Sequence, residues 1–151
     1  GEGVANRRTA LIDDGVLQTW LLDTATALQL KLTSTGHAAR GTSGPPSPSI
    51  TNLYMEAGAL SPKDLIADIK SGFYVTELIG MGVNGVTGDY SRGAAGFWIE
   101  NGEIAYPVSE VTIAGNLKDM FLHLTPANDL AFKYGANAPT CRVEGMTIAG
   151  A

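Results

Sequence analysis

Runs rich in β-branched and aromatic residues, punctuated by glycine, asparagine and proline, outnumber the stretches with helical spacing in this chain. The first two runs, 9–12 and 16–20, flank Asp13-Asp14-Gly15. Asp-Gly supplies the positive φ angles of a tight primed turn, so these runs are predicted to form a hairpin. Asp23 is placed to cap a short helix reaching Leu32, with Ala25, Leu28 and Leu32 on one face. From 33 to 49 the composition shifts to Thr, Ser, Gly and Pro, including Gly44-Pro45-Pro46-Ser47-Pro48. Such a segment is read as a long loop without helix or ladder.

The run 50–56 reads as a strand. Ser61-Pro62-Lys63-Asp64 then places serine at the N-cap, proline at the first helical position and a carboxylate two residues later, predicting a helix that ends near Lys70. Leu65, Ile66 and Ile69 form its apolar stripe, and Gly72 terminates it. Strands are predicted over 73–79, 83–87, 93–100, 103–106 and 109–114, with a hairpin at Asn101-Gly102. Asn116 and Asp119 begin a helix carrying Leu117, Met120, Phe121 and Leu124 at amphipathic spacing. A final strand, 141–148, includes Gly145 as a bulge. Thr-Ile-Ala-Gly occurs at 112–115 and again at 147–150, without longer self-similarity around it. The expected fold is α+β: a mainly antiparallel or mixed β-sheet with two or three helices packed on it, in a single domain over 1–151.

Composition narrows the function. With 151 residues, 44% hydrophobic and 17% charged, the chain can bury a core. It has no apolar run of about eighteen residues and no basic segment leading into an apolar one, so neither a membrane span nor a signal peptide is expected. A net charge of -5 disfavours direct nucleic-acid binding, which needs clustered Lys and Arg. The single cysteine, Cys141, forms no internal disulfide and suits a reducing, cytoplasmic compartment. The chain begins Gly-Glu-Gly rather than Met, and we read it as a piece of a longer polypeptide.

The residues offer little catalytic chemistry. Gly80-Met81-Gly82-Val83-Asn84-Gly85 matches a dinucleotide-binding pattern, but Val86-Thr87-Gly88-Asp89-Tyr90 follows it as strand and turn, where a helix is required. The pattern therefore reads as a glycine-rich turn or a close approach of backbone. His37, His123 and Cys141 are the scattered candidates for zinc, and no metal site is expected from them. Cys141 reads as a small buried hydrophobe. No Gly-x-Ser-x-Gly elbow is present, and Ser91 has no identifiable base. The densest polar chemistry lies at Gly88, Asp89, Tyr90, Ser91, Arg92 and Gly93. One reading makes Asp89 a turn former and Arg92 its salt-bridge or backbone partner. The other makes this segment a contact for a peptide or a partner subunit, with Arg92 engaging a carboxylate.

Gly72-Phe-Tyr-Val-Thr-Glu-Leu-Ile-Gly80 and Gly88-Asp-Tyr-Ser-Arg-Gly-Ala-Ala-Gly-Phe-Trp-Ile-Glu-Asn-Gly-Glu-Ile104 resemble the PmbA/TldE proteins. Pro107-Val108, Ile113-Ala-Gly-Asn-Leu-Lys-Asp-Met-Phe121 and Val143-Glu-Gly-Met-Thr-Ile-Ala-Gly150 continue the likeness in order. The Asp13-Asp14-Gly15 hairpin and the Ser34-Thr35-Gly36 loop extend it over essentially the whole chain. The resemblance implies the C-terminal part of a longer protein and a role in proteolysis alongside a TldD-like partner. Such proteins also carry the label modulator of DNA gyrase, and are linked to peptide-antibiotic maturation and antitoxin breakdown. In the TldD branch, zinc is bound by a His-Glu-x-x-x-His helix preceding this region and by a cysteine before a Gly-Lys-x-Gly-Gln-like stretch. This chain has neither pattern, and Cys141 falls beyond where that stretch would end, so the likeness is to the TldE branch. The implied function is a noncatalytic subunit handling unfolded peptides, with no cofactor in this chain and zinc in the TldD-like partner. Self-association, a self-sufficient metallopeptidase with metal held in the N-terminal region, and a purely structural dimerisation domain are the alternatives.

Overall fold

The structure, a computed structural model, describes residues 1–150. In chain order its elements are β1 (Ile12–Asp13), β2 (Val16–Leu17), α1 (Thr24–Leu30), β3 (Ala38–Ala39), β4 (Ser47–Pro48), β5 (Leu53–Tyr54), α2 (Pro62–Ile66), β6 (Ser71–Ile79), β7 (Asp89–Glu100), β8 (Glu103–Asn116), α3 (Leu117–Leu122), β9 (Leu124–Pro126), β10 (Ala136–Asn137), β11 (Cys141–Val143) and β12 (Thr147–Ala149). They form an α+β fold whose sheets are mostly antiparallel, as the sequence indicates. The chain divides into two compact units, the first made of Gly1–Tyr54 with Phe132–Asn137 and the second of Met55–Ala131 with the residues from Ala138 onward.

In the first unit, β1 and β2 pair as Ile12↔Leu17 and Asp13↔Val16, leaving Asp14 and Gly15 as a two-residue loop. Both have positive φ, 47° and 76°, which is the primed turn that Asp-Gly favours. Asp23 caps α1: its carboxylate accepts from the Thr26 amide (2.7 Å) and the Thr26 hydroxyl (2.6 Å), and Thr26 Oγ1 accepts from the Asp23 amide (3.1 Å). The helix stops at Leu30, short of Leu32, because Lys31 turns left-handed (φ 56°) and the Leu32 amide bonds back to the Ala27 carbonyl at 2.8 Å. Ala27 is its buried residue, whereas Leu28 of the expected stripe is 73% exposed. Within the expected loop 33–49 a minimal ladder does form, Ala38↔Pro48 and Ala39↔Ser47, with Pro48 at a strand end where its missing N–H is tolerated. The predicted strand 50–56 contracts to β5, whose parallel partner, β10, comes from the far end of the chain.

The second unit is organised by an antiparallel sheet of order β12-β8-β7-β6. Ser61 caps α2, its Oγ accepting from the Asp64 amide at 3.2 Å, with Pro62 in the first turn. This helix ends before Lys70 because the Ile69 and Lys70 carbonyls instead accept from the Gly102 and Asn101 amides of the β7–β8 hairpin (2.8 and 3.0 Å). At that hairpin Asn101 and Gly102 have φ of 49° and 83° and sit between the paired Glu100 and Glu103. The separate strands expected at 103–106 and 109–114 are one strand, β8. It runs through Pro107, which pairs with Phe97 on one side, while β12 covers only 112–114 on the other, so no ladder donor is demanded of the proline there. Ser109 and Glu110 together face the single Ala95, a bulge in which Glu110 adopts φ 59°.

The predicted strand 83–87 reduces to one bridge, Val83↔Tyr90. The side chain of Asn84 draws the amides of Val86 and Thr87 into a turn instead. Helix α3 ends at Leu122, and Leu124, assigned to it by spacing, begins β9. The expected strand 141–148 is split: β11 pairs with β9 and β12 joins the large sheet, with Gly145 (φ 78°) between them acting as a switch of sheets, not a bulge. The two Thr-Ile-Ala-Gly copies meet across β8 and β12, placing Ile113 opposite Ile148. Ala94, Val111 and Ile113 form the buried cluster of this sheet, covered by Phe73, Tyr90, Val108, Met146 and Ile148.

Candidate peptide-contact site

The segment singled out by its polar chemistry opens β7, and strand alternation divides it between two faces. Gly88 is buried with φ 84°, and a Cβ there would lie 2.9 Å from Asn116 Oδ1, so the position takes glycine for both reasons. Asp89 and Ser91 are exposed. Asp89 Oδ2 accepts from the Thr87 hydroxyl at 2.6 Å, so Thr87, not Arg92, is its partner. Asp89 and Arg92 stand on opposite faces, which rules out the salt bridge that their spacing suggests. Tyr90 packs against the buried cluster. Gly93 pairs with Ile79 of β6 and Thr112 of β8.

Arg92 shares the face of Ala94, next to its cross-strand neighbour Ile113. It is half-buried, its Nη2 donates to the Leu78 carbonyl of β6 at 3.4 Å, and its Nε is buried without a partner.

The residues that position this segment were only partly legible. In sequence Asn84 belongs to a glycine pattern, yet its carbonyl accepts from Gly88 N (2.8 Å) and its Oδ1 from Val86 N (2.9 Å) and Thr87 N (3.2 Å). The signal available was Asn-Gly at 84–85, a pair suited to turns. Gly82 fits the close-approach reading of that pattern: its Cβ would stand 1.6 Å from the Ser91 carbonyl oxygen, and the Ser91 amide donates to the Gly82 carbonyl at 2.7 Å. The approaching backbone is the chain's own. The loop held in this way presents Met81 and Val86 at 97% and 95% exposure.

The zinc candidates do not assemble. His37 lies in the first unit, buried, with Nδ1 unpartnered; His123 caps α3, with Nδ1 2.8 Å from the Asp119 carbonyl. Burial pushes the Cys141 thiol up, and the charge of Asp129 adds to this, which opposes the thiolate that zinc requires. Among the described residues no three His, Cys, Asp or Glu are grouped to hold a metal ion. No described helix is long and apolar enough to cross a membrane. In the first unit, an open groove of about 380 Å³ is lined by Arg7, Thr9, Gln18, Thr33 and Thr35 among others. Ser34 and Thr35 are already engaged by the Leu22 carbonyl (3.2 and 3.1 Å), so the Ser34-Thr35-Gly36 loop acts as a structural clasp.

Residues 1–150 match the sequence pattern of the PmbA/TldA metallopeptidase C-terminal domain. The protein named metalloprotease PmbA from Escherichia coli O157:H7 is 46% identical over 150 residues, covering 99% of this chain and 31% of that protein. Two solved structures are similar. One is a putative modulator of DNA gyrase from Thermotoga maritima, with TM-score 0.83 and 33% identity over 97% of this chain and 34% of that one. The other is TldE from Thermococcus kodakarensis, with TM-score 0.87 and 27% identity over 98% and 35%. The chain spans about a third of the length of these relatives.

Proposed function

Since the chain belongs to the PmbA/TldA metallopeptidase C-terminal domain family, we propose that it is the peptide-handling part of a noncatalytic TldE-type subunit. That subunit works on unfolded peptides in the cytoplasm with a TldD-like partner. The observation that carries this reading is the outer edge of β6. Among the described residues no strand pairs with its far side. Its nine residues contain no proline or lysine and one charge, Glu77, and Val75, Leu78 and Ile79 are exposed. Edges left to solvent are normally blunted by such residues. An extended peptide added here would gain main-chain hydrogen bonds that do not depend on its side chains, which suits a system acting on unfolded chains.

Gly88, Asp89, Tyr90, Ser91, Arg92 and Gly93 head the adjacent strand, and we assign them to peptide or partner contact. Asp89 and Ser91 face outward, and Arg92 reaches β6. The chain's own candidate ligands favour binding over catalysis. Cys141 is held as a thiol, and His123 is tied to its helix end. Zinc in the TldD-like partner would supply Lewis-acid activation of water and of the scissile carbonyl.

The test uses the intact polypeptide carrying this chain, alone and mixed with its TldD-like partner, on an unfolded test peptide, with metal analysis of each sample. Zinc and cleavage are expected only when the partner is present. Zinc-dependent cleavage by the polypeptide alone would overturn the noncatalytic reading. A peptide N-methylated at alternate backbone nitrogens should lose binding to the assembly, and unchanged binding would overturn strand addition. Crosslinking of the peptide to the partner alone would reduce this chain to a dimerisation role.

A further inference from the structure

The second unit half-buries two arginines and provides for them unequally. Arg142 is paired with Asp68 and with Glu144 (2.7 Å), and also donates to the Leu65 carbonyl at 3.1 Å. Arg92 has no carboxylate partner among the described residues. Of its five donors, Nη2 makes one long bond to the Leu78 carbonyl, and the Nε is buried and unmatched. A partly desolvated guanidinium left in this state is destabilising, and the natural remedy is an anion that accepts two parallel N–H bonds.

The placement of Arg92 selects the anion. The side chain crosses from β7 onto β6, the outer strand, close to the end of that strand at Ile79. Gly80, with φ 76°, then turns the chain away. Positions 78–88 contain no charged residue, and the carboxylates that flank them, Glu77 and Asp89, are not paired with Arg92. We propose that Arg92 binds the free C-terminal carboxylate of an extended peptide seated along β6, so that the site recognises peptide ends. This rests on the strand-addition reading above and adds a terminus preference to it. The bond to Leu78 holds the fork over the edge strand, and a peptide lying parallel to β6 brings its C-terminus there, where the partner strand runs out beyond Ile79. A planar fork of low hydration matches a carboxylate better than a point charge does.

Two fluorescent peptides, identical except for a terminal carboxylate or carboxamide, test this by anisotropy with the assembled full-length proteins. The free acid should bind on the order of tenfold more tightly than the amide, the range for a hydrogen bond to a charged group. Arg92→Gln and Arg92→Lys should erase that difference. Lysine keeps the charge and lacks Nε, so it isolates the fork. If the wild-type assembly binds acid and amide alike while N-methylation still abolishes binding, strand addition stands and the carboxylate role fails. If N-methylation changes nothing, the proposal falls together with the reading beneath it. Arg92 variants that bind both peptides normally but no longer associate with the partner would assign the guanidinium to a partner carboxylate and overturn the proposal. Should Arg92→Gln not fold, the acid-to-amide ratio of the wild-type protein decides alone.

Discussion

Asn116 holds Thr87 from across the sheet: its Nδ2 donates to the Thr87 carbonyl at 3.1 Å while its Oδ1 accepts from the Lys118 amide at 3.1 Å to begin α3. One side chain thereby joins the turn that enters β7 to the helix that leaves β8. The Leu117 amide reinforces the join by donating to the Gly88 carbonyl at 2.7 Å.

Asn116→Ala removes both the cap and the tie. A lost cap costs about 1 kcal/mol, and the freed Thr87 carbonyl adds to it. Asn116→Asp keeps the acceptor and loses only the donor, so its loss should be smaller. Urea unfolding of the three proteins checks the order, and equal stability would refute the double role.

Gly82→Ala tests the backbone approach. The added methyl would stand 1.6 Å from the Ser91 carbonyl oxygen, a main-chain atom that cannot rotate aside. The loop must separate from β7, at a cost of roughly 1–3 kcal/mol by analogy with overpacking. Hydrogen exchange at the Ser91 amide, which donates to Gly82, should rise before exchange at the central strands does.

Acid should weaken the Arg142 clamp. The bond from Arg142 holds the Asp68 carboxyl below its ordinary value of 3.8. The unfolded chain therefore takes up this proton first as pH falls. The contribution to stability is present above the unfolded value and is lost as pH drops through the lowered folded one. Asp23 and Asp129, lowered by hydrogen bonds from Thr26 and Thr140, act in the same direction. Asp68→Asn should flatten, without abolishing, the fall in urea midpoint between about pH 6 and about pH 3. An unchanged slope would mean the exposed carboxylate contributes nothing.

Cys141 should be a slow nucleophile. Burial raises its thiol, Asp129 raises it further, and Sγ lies 3.3 Å from the Pro139 carbonyl. Alkylation near neutral pH should run about tenfold or more slower in the native protein than in the urea-unfolded chain, since the thiolate is the reactive form. Equal rates would show the thiol to be accessible and normally ionised.

Local chemistry was legible where one side chain decides the outcome. Asp14-Gly15 and Asn101-Gly102 specify their turns because few other residues accept positive φ in succession, and Asp23, Ser61 and Asn116 mark helix starts because each supplies an oxygen to an unpaired amide. Helix ends were less legible. Leu32, Lys70 and Leu124 fit the helical spacing, but the chain leaves each helix earlier, drawn away by hydrogen bonds whose partners the spacing does not reveal.

By itself, then, the sequence determined the α+β class, the family, and the hairpins and caps, since all of these depend on neighbours a few residues apart or on a distinctive string. Tertiary structure decided what depends on distant partners. It split residues 141–148 between two sheets, brought the two Thr-Ile-Ala-Gly copies face to face and gave Asp89 to Thr87. It also left Arg92 without a carboxylate while Arg142 gained two. The reason is physical: burial and charge pairing are set by which strands lie side by side, and a hydrophobic pattern constrains the face of a strand without naming its neighbour.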